Sequence, residues 1–431
     1  MTTAGSSLPG LPSVRSQSVQ PAVREKSHNV LRSLSDNMML GALMLHIATL
    51  PYLRQFGAAG FLLFVGIAGI YVVFRPHPLM RDWRLLSYLL YGVVAIILSY
   101  MHIFPSAWTV LYDKSAIFRQ SYFIFAFFLL LVAFTQMWAQ LIRRRRLGLG
   151  IGLYFVFSMF AAILFAAQTI GGLANTVIPN LTTAGIGLFL GFCYFAISRR
   201  SRLSVVAAMG VVLLVIMIAG TMQTLIAGLM ILLFIVSPWR RALTAAFAVT
   251  ALLVPVAVQF LDLSEVRMND VNTLIRIAFW QDAFTGVVES KMLGIGFGTE
   301  AVRNYYAALP NLSPYMDDEM MWQSVHNTFV LHFLRLGVLG GALFISMSAI
   351  RCFPGPAMPR NREVLACYAY FLAMFSMTVN VGEGPFFLVG VCAVLGLVVA
   401  LSSLGPVRGR SPVGSRASKY RVVKSRISRQ V

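Results

Sequence analysis

"FIFAFFLLLVAFTQMWAQLIRRRR", residues 123–146, carries no charge until it meets four consecutive arginines. A helix needs about 20 apolar residues to cross the hydrocarbon core of a bilayer. The wall of a membrane barrel would alternate polar and apolar residues with period two, and this run does not alternate. The stretch therefore reads as a membrane helix stopped by a basic flank.

The same pattern repeats along the chain, in which 58% of 431 residues are hydrophobic and 12% are charged. No soluble domain of this size has that composition. Apolar blocks at 38–53, 55–74, 84–104, 119–140, 148–170, 181–198, 203–219, 221–236, 242–260, 327–350, 364–380 and 385–403 predict an all-α, polytopic membrane bundle of about 12 transmembrane helices. The first and eighth blocks are the shortest. With the N-terminus in the cytoplasm, most Lys and Arg fall on the cytoplasmic side, including Arg75, Arg81 and Arg84, Arg143 to Arg146, Arg199 to Arg202, Arg240 and Arg241, and Arg351 to Arg362. Both termini are then expected inside, in a bacterial inner membrane.

A net charge of +20 invites a nucleic-acid reading. The charges punctuate membrane helices and fill the tails instead, which suits anionic headgroups, so no nucleic-acid partner is expected. Residues 1–37 are expected to be a disordered cytoplasmic tail without a signal peptide, and 404–431 a basic cytoplasmic tail. Residues 38–260 hold nine expected spans and 327–403 the last three. Cys193, Cys352, Cys367 and Cys392 have no metal-binding spacing, so no disulfide, metal or other cofactor is expected.

One connection is too long to be a simple turn. Residues 261–326 hold more than half of the acidic residues and are expected to form a partly helical extracytoplasmic loop between spans nine and ten. Within it, "NTLIRIAFWQDAFTGVVES" (272–290) has helical apolar spacing, and "LGIGFG" (293–298) supplies a tight turn. "WQSVHNTFVLHFLRLGVLGG" (322–341) then opens the next apolar block with His326-Asn327 and places Arg335 inside it.

An Arg shortly before a Trp, a Leu-Gly-x-Gly-x-Gly turn, a His-Asn pair and a closing Gly-x-x-Gly, in that order, resemble the O-antigen ligase and O-antigen polymerase family of bacterial membrane glycosyltransferases. The resemblance covers residues 273–341. It implies a metal-independent, inverting transfer of a glycan from a polyprenyl diphosphate to a hydroxyl at the outer face of the inner membrane, in the manner of an exopolysaccharide polymerase. It also implies a lipid-linked oligosaccharide substrate, with a chain-length regulator and a flippase as partners. Many relatives carry a Ser-Arg pair near the place of Gln223, and often an acidic residue in place of Arg335.

The residues themselves support two readings each. His326 is either an interfacial cap or, with an ordinary pKa of about 6.5, a general base for an acceptor hydroxyl. Arg276 is either a solvated helix residue or a planar, bidentate ligand of the diphosphate, with Trp280 beside it. Arg335 costs about 2.5–3.5 kcal/mol at the bilayer centre, so it holds either substrate phosphate or a buried partner such as Glu383. In "GIGFG", Gly296 and Gly298 let backbone approach backbone, and their amides are candidates for touching phosphate. Asn327 and Gln223 complete the candidate substrate-binding set. Asp317 to Glu319 read as hydrated loop carboxylates, His332, His46 and His102 as packing, and Lys114 and Arg119 as additions to an anionic-substrate site.

Two competitors stand beside the polymerase. A ligase would transfer the finished chain to a lipid A core. A lipid-linked oligosaccharide flippase, a transporter rather than an enzyme, would also have about twelve spans, but it tends to show internal repeats around a midplane site. The halves of this chain show no such repeat.

Overall fold

The computed structural model describes residues 20–49, 53–103, 114–170, 239–261, 271–298, 327–353, 368 and 385–403. These form nine helices: α1 (Gln20–Thr49), α2 (Leu53–Phe74), α3 (Trp83–Tyr100), α4 (Lys114–Arg143), α5 (Leu147–Ile170), α6 (Arg240–Ala257), α7 (Val271–Glu289), α8 (Thr328–Ile345) and α9 (Pro385–Ser403). No strand occurs among the described residues. The segments Trp83–Tyr100, Ala116–Arg143, Arg241–Phe260 and Thr328–Ile350 are long and apolar enough to cross a membrane. Ala59–Phe74, Leu147–Ala161 and Leu388–Ser403 are shorter apolar helices. The expected spans 181–198, 203–219, 221–236 and 364–380 lie outside the described residues, apart from Tyr368.

Helix α4 is the axis of the bundle. Its apolar stretch is 83% buried, against 28% for α3 and 17% for α6, which face outward. A helix that is apolar all round must be enclosed by others, and α9 lies along it. There Trp138 Nε1–H donates to the Ala393 carbonyl at 2.9 Å. Gly396 brings α9 against the α4 backbone, where an added Cβ would meet Phe134 and Thr135 within 3.0 Å.

The arginine-rich helix ends meet at one end of the bundle. Buried Asp36 of α1 accepts from Tyr71 Oη and Arg75 Nη2, both at 2.9 Å, and from Arg144 Nη2 at 2.8 Å. Asp36 thus ties α1 to the last residues of α2 and α4. Helix α1 starts at Gln20, inside the 1–37 stretch. The counter-charges that hold its carboxylate come from far along the chain, which tail composition does not reveal. Arg351, beyond α8, pairs with Asp82 at the start of α3 at 2.6 Å.

A correction concerns 327–350, expected as one straight span. Residues twelve apart in a straight helix are separated by about 18 Å. Yet the rings of His332 and Phe344 stack at 3.6 Å with an interplanar angle of 6°, and those of Phe329 and Phe344 lie 5.9 Å apart. Gly337 has φ 67° and ψ −170° in the middle of α8. The chain folds back there into two half-helices, Thr328 to Leu336 and Val338 to Ile345, and a π-turn at Ser346–Ile350 extends the second. Tyr88 of α3 meets both His332 and Phe344, while Tyr91 meets both Leu336 and Gly340. Both limbs therefore run from an apex at Gly337 back along α3 toward its first turn. The straight crossing expected between Asn327 and Arg351 is replaced by a hairpin.

Candidate functional site

Helix α7 packs its apolar face against the first limb of α8. Ile277, Phe279, Trp280 and Ala283 form one buried cluster with Val258, Ile295, Val330, Leu331 and Leu334. The same helix closes the end of α6. The Gln281 amide donates to the carbonyls of Val258 at 2.7 Å and Leu261 at 2.9 Å, supplying donors that a helix C-terminus lacks. Arg276 is half-buried on α7, and Trp280, one turn later, is 9% exposed. Asp282, which the sequence reading did not single out, is buried on the same helix.

The glycine turn after α7 stitches the hairpin apex. A break at Gly337 deprives the surrounding backbone of helical partners, and buried amides and carbonyls require replacements. The turn provides them: Ile295 N–H donates to Leu334 O at 2.8 Å, Gly296 N–H to Arg335 O at 3.0 Å, and Val338 N–H to Met292 O at 3.0 Å. Tyr91 Oη donates to Leu336 O at 3.0 Å. Gly294, with φ 84°, lies so close to the apex that an added Cβ would stand 2.4 Å from the Gly337 nitrogen. The two glycine-rich motifs, forty residues apart in sequence, are therefore halves of one joint. Lys291 and Met292, at φ 53° and 67°, share its left-handed backbone.

Two spans hold the far side of the turn. Ser99 Oγ of α3 accepts from Phe297 N–H at 2.9 Å, and Gln120 Oε1 of α4 accepts from Gly298 N–H at 2.7 Å. The amides of Gly296 and Gly298, candidates for phosphate, thus have acceptors inside the protein. Sequence reasoning missed Ser99 and Gln120. Their only signal was a polar side chain near the end of an apolar run, which the bilayer penalises unless it has work to do.

Arg335 is 2% exposed, and its Nη1 donates to the Gly296 carbonyl at 3.3 Å. It faces the joint it helps to close. Asn327 is fully buried and caps the first limb, its Oδ1 accepting from the amides of Phe329 at 3.0 Å and Val330 at 3.1 Å. That is the ordinary work of an N-cap asparagine. His332 packs in the core as expected. Its Nδ1 lies 2.6 Å from the Thr328 carbonyl, which can only accept, so the proton is on Nδ1 and Nε2 accepts from Tyr88 Oη at 2.9 Å. His46 is also buried and stacks on Phe64 at 5.0 Å. Lys114 is exposed in the first turn of α4. His326, Gln223, Glu383 and Asp317 to Glu319 lie outside the described residues.

The site therefore joins Arg276, Trp280, the 290–298 turn, Asn327 and Arg335 through α7 and the α8 hairpin. Residues 219–345 match the family model described as O-antigen ligase. The match ends with α8 and contains α7, the glycine turn and the hairpin, while Tyr91, Ser99 and Gln120, which fasten them from α3 and α4, lie outside it. It is a similarity to that family over less than a third of the chain. No curated protein and no solved structure matches the chain.

Proposed function

We propose that this multi-pass membrane protein polymerises a bacterial exopolysaccharide or O-antigen, moving a glycan from a polyprenyl diphosphate to a hydroxyl of another lipid-linked repeat unit at the outer face of the inner membrane. The observation that carries the reading is the family match over the segment in which α7, the glycine turn and the hairpin lock together.

In this mechanism His326 takes the proton of the acceptor hydroxyl as its oxygen attacks the anomeric carbon. The bond from that carbon to the diphosphate oxygen breaks in the same displacement, with inversion. Arg276 holds the departing diphosphate with its planar fork, and such preorganised charge is often the largest catalytic contribution. Trp280 fixes the helix that carries Arg276. Arg335 and Asn327 act from behind, holding the turn and the start of the hairpin.

Deleting the gene and sizing the lipid-linked oligosaccharides tests the reading. Single repeat units accumulating outside support a polymerase. Long chains lacking a lipid A core would instead make the protein a ligase, and units trapped inside would make it a flippase. Restoring the gene with Arg276→Lys is expected to yield about 100-fold less polymer, because one ammonium cannot reproduce the fork. Near-normal chain length from that variant places the diphosphate clamp elsewhere.

A further inference from the structure

The arginine-rich end of the bundle is more than a topological marker. Two acidic residues with described side chains stand among its cations, and both are engaged: Asp36 by Arg75 and Arg144, Asp82 by Arg351. Arg84 adjoins the second pair, because its backbone N–H donates to Asp82 Oδ1 at 3.1 Å. Its guanidinium lies over the Trp83 ring at 5.3 Å, yet its buried Nε has no hydrogen-bond acceptor. A buried cationic N–H without an acceptor calls for one. Trp83 is 63% exposed, the usual posture of an indole at a membrane interface.

His77 extends the cluster. Its Nδ1 accepts from Leu79 N–H at 3.1 Å, which leaves Nε2 as a donor in the neutral ring. Burial, with Arg143 and Arg351 close by, holds the imidazole below its ordinary value and hence neutral. Arg143 itself is exposed and has no acidic partner among the described residues. The guanidiniums of Arg84 and Arg143, which have no acidic partner among the described residues, share one helix-end surface with Arg351, a neutral imidazole donor and an interfacial indole.

We infer that Arg84, Arg143, Arg351, His77 and Trp83 form a binding site for the phosphate of an anionic glycerophospholipid in the leaflet facing this end. The phosphate accepts from the guanidiniums, and the indole lies against the lipid chains. The site is built from residues other than those of the glycine turn and does not rest on the proposed transferase activity.

The test uses the full-length purified chain, delipidated in mild detergent, with native mass spectrometry and thermal unfolding as readouts. Phosphatidylglycerol is expected to be retained and to raise the unfolding temperature, whereas phosphatidylcholine and inorganic phosphate do neither. Each of Arg84→Gln and Arg143→Gln should weaken phosphatidylglycerol binding about fivefold. Lys114→Gln, a charge loss at the other end of α4, should leave it unchanged. Arg143 is exposed, so its variant reads binding even where Arg84→Gln harms folding. Equal retention of the two phospholipids, equal stabilisation by inorganic phosphate, or undiminished binding by Arg143→Gln would each overturn the assignment.

Discussion

Gly294→Ala should remove most folded protein from the membrane. The new methyl would sit 2.4 Å from the Gly337 nitrogen and 2.8 Å from the Arg335 carbonyl oxygen, and both obstacles are backbone. A side chain can rotate away, but this backbone is fixed by the three hydrogen bonds between the turn and the hairpin apex. The residue also has φ 84°, which a side chain rarely adopts. Together the clash and the strain should cost about 4–5 kcal/mol, a large fraction of the stability of an ordinary domain. Gly66→Ala is the matched control, because nothing lies within 4 Å of its added carbon. It should fall within about 1 kcal/mol of the wild type, on the stabilising side. Fluorescence-detected size exclusion and thermal unfolding in detergent would compare the two. A monodisperse Gly294→Ala protein unfolding at the wild-type temperature would mean that the turn and hairpin do not interlock.

That joint marks the limit of what the sequence discloses. The membrane-helical class was legible, because about 20 uncharged residues followed by arginines admit few other folds. Helices α2 to α6 and α9 begin and end close to the apolar blocks that announce them. The fold-back at Gly337 was not legible, since an apolar run of the right length reads as one crossing whatever its middle does. "GVLGG" hinted at close packing, but the hydrogen-bond partners of the break are Met292, Ile295, Gly296 and Tyr91, all distant in sequence. Periodicity sees neighbours along a helix and not across a joint. The anchoring of Asp36 was hidden for the same reason, since its cations are Arg75 and Arg144, far along the chain. Among the candidate site residues, the sequence named Arg276, Arg335 and Asn327 but not the way each is held. Ser99, Gln120 and Gln281, which fasten the turn and helix α7, gave almost no signal.

His326→Ala should abolish polymer while leaving the protein folded, and the two expectations come from adjacent residues. The cap of the first α8 limb belongs to Asn327, whose side chain already satisfies the amides of Phe329 and Val330. That cap is made by the Asn327 side chain, so the unfolding temperature of His326→Ala should hold. Asn327→Ala should do the reverse in kind, lowering stability by about 1–2 kcal/mol through the lost cap. If His326 accepts the proton of the acceptor hydroxyl, its loss should slow transfer by about 100- to 10,000-fold. The assay is polymer formation from lipid-linked repeat units by reconstituted protein, with a reporter fused at Pro310 to establish which side of the membrane the preceding segment occupies. The hairpin gives that reporter added weight, since it removes the straight crossing that would have separated Asn327 from Arg351. Wild-type polymer yield from His326→Ala would take the base assignment away, and a cytosolic Pro310 would take away the outer-face mechanism even if the histidine proved essential.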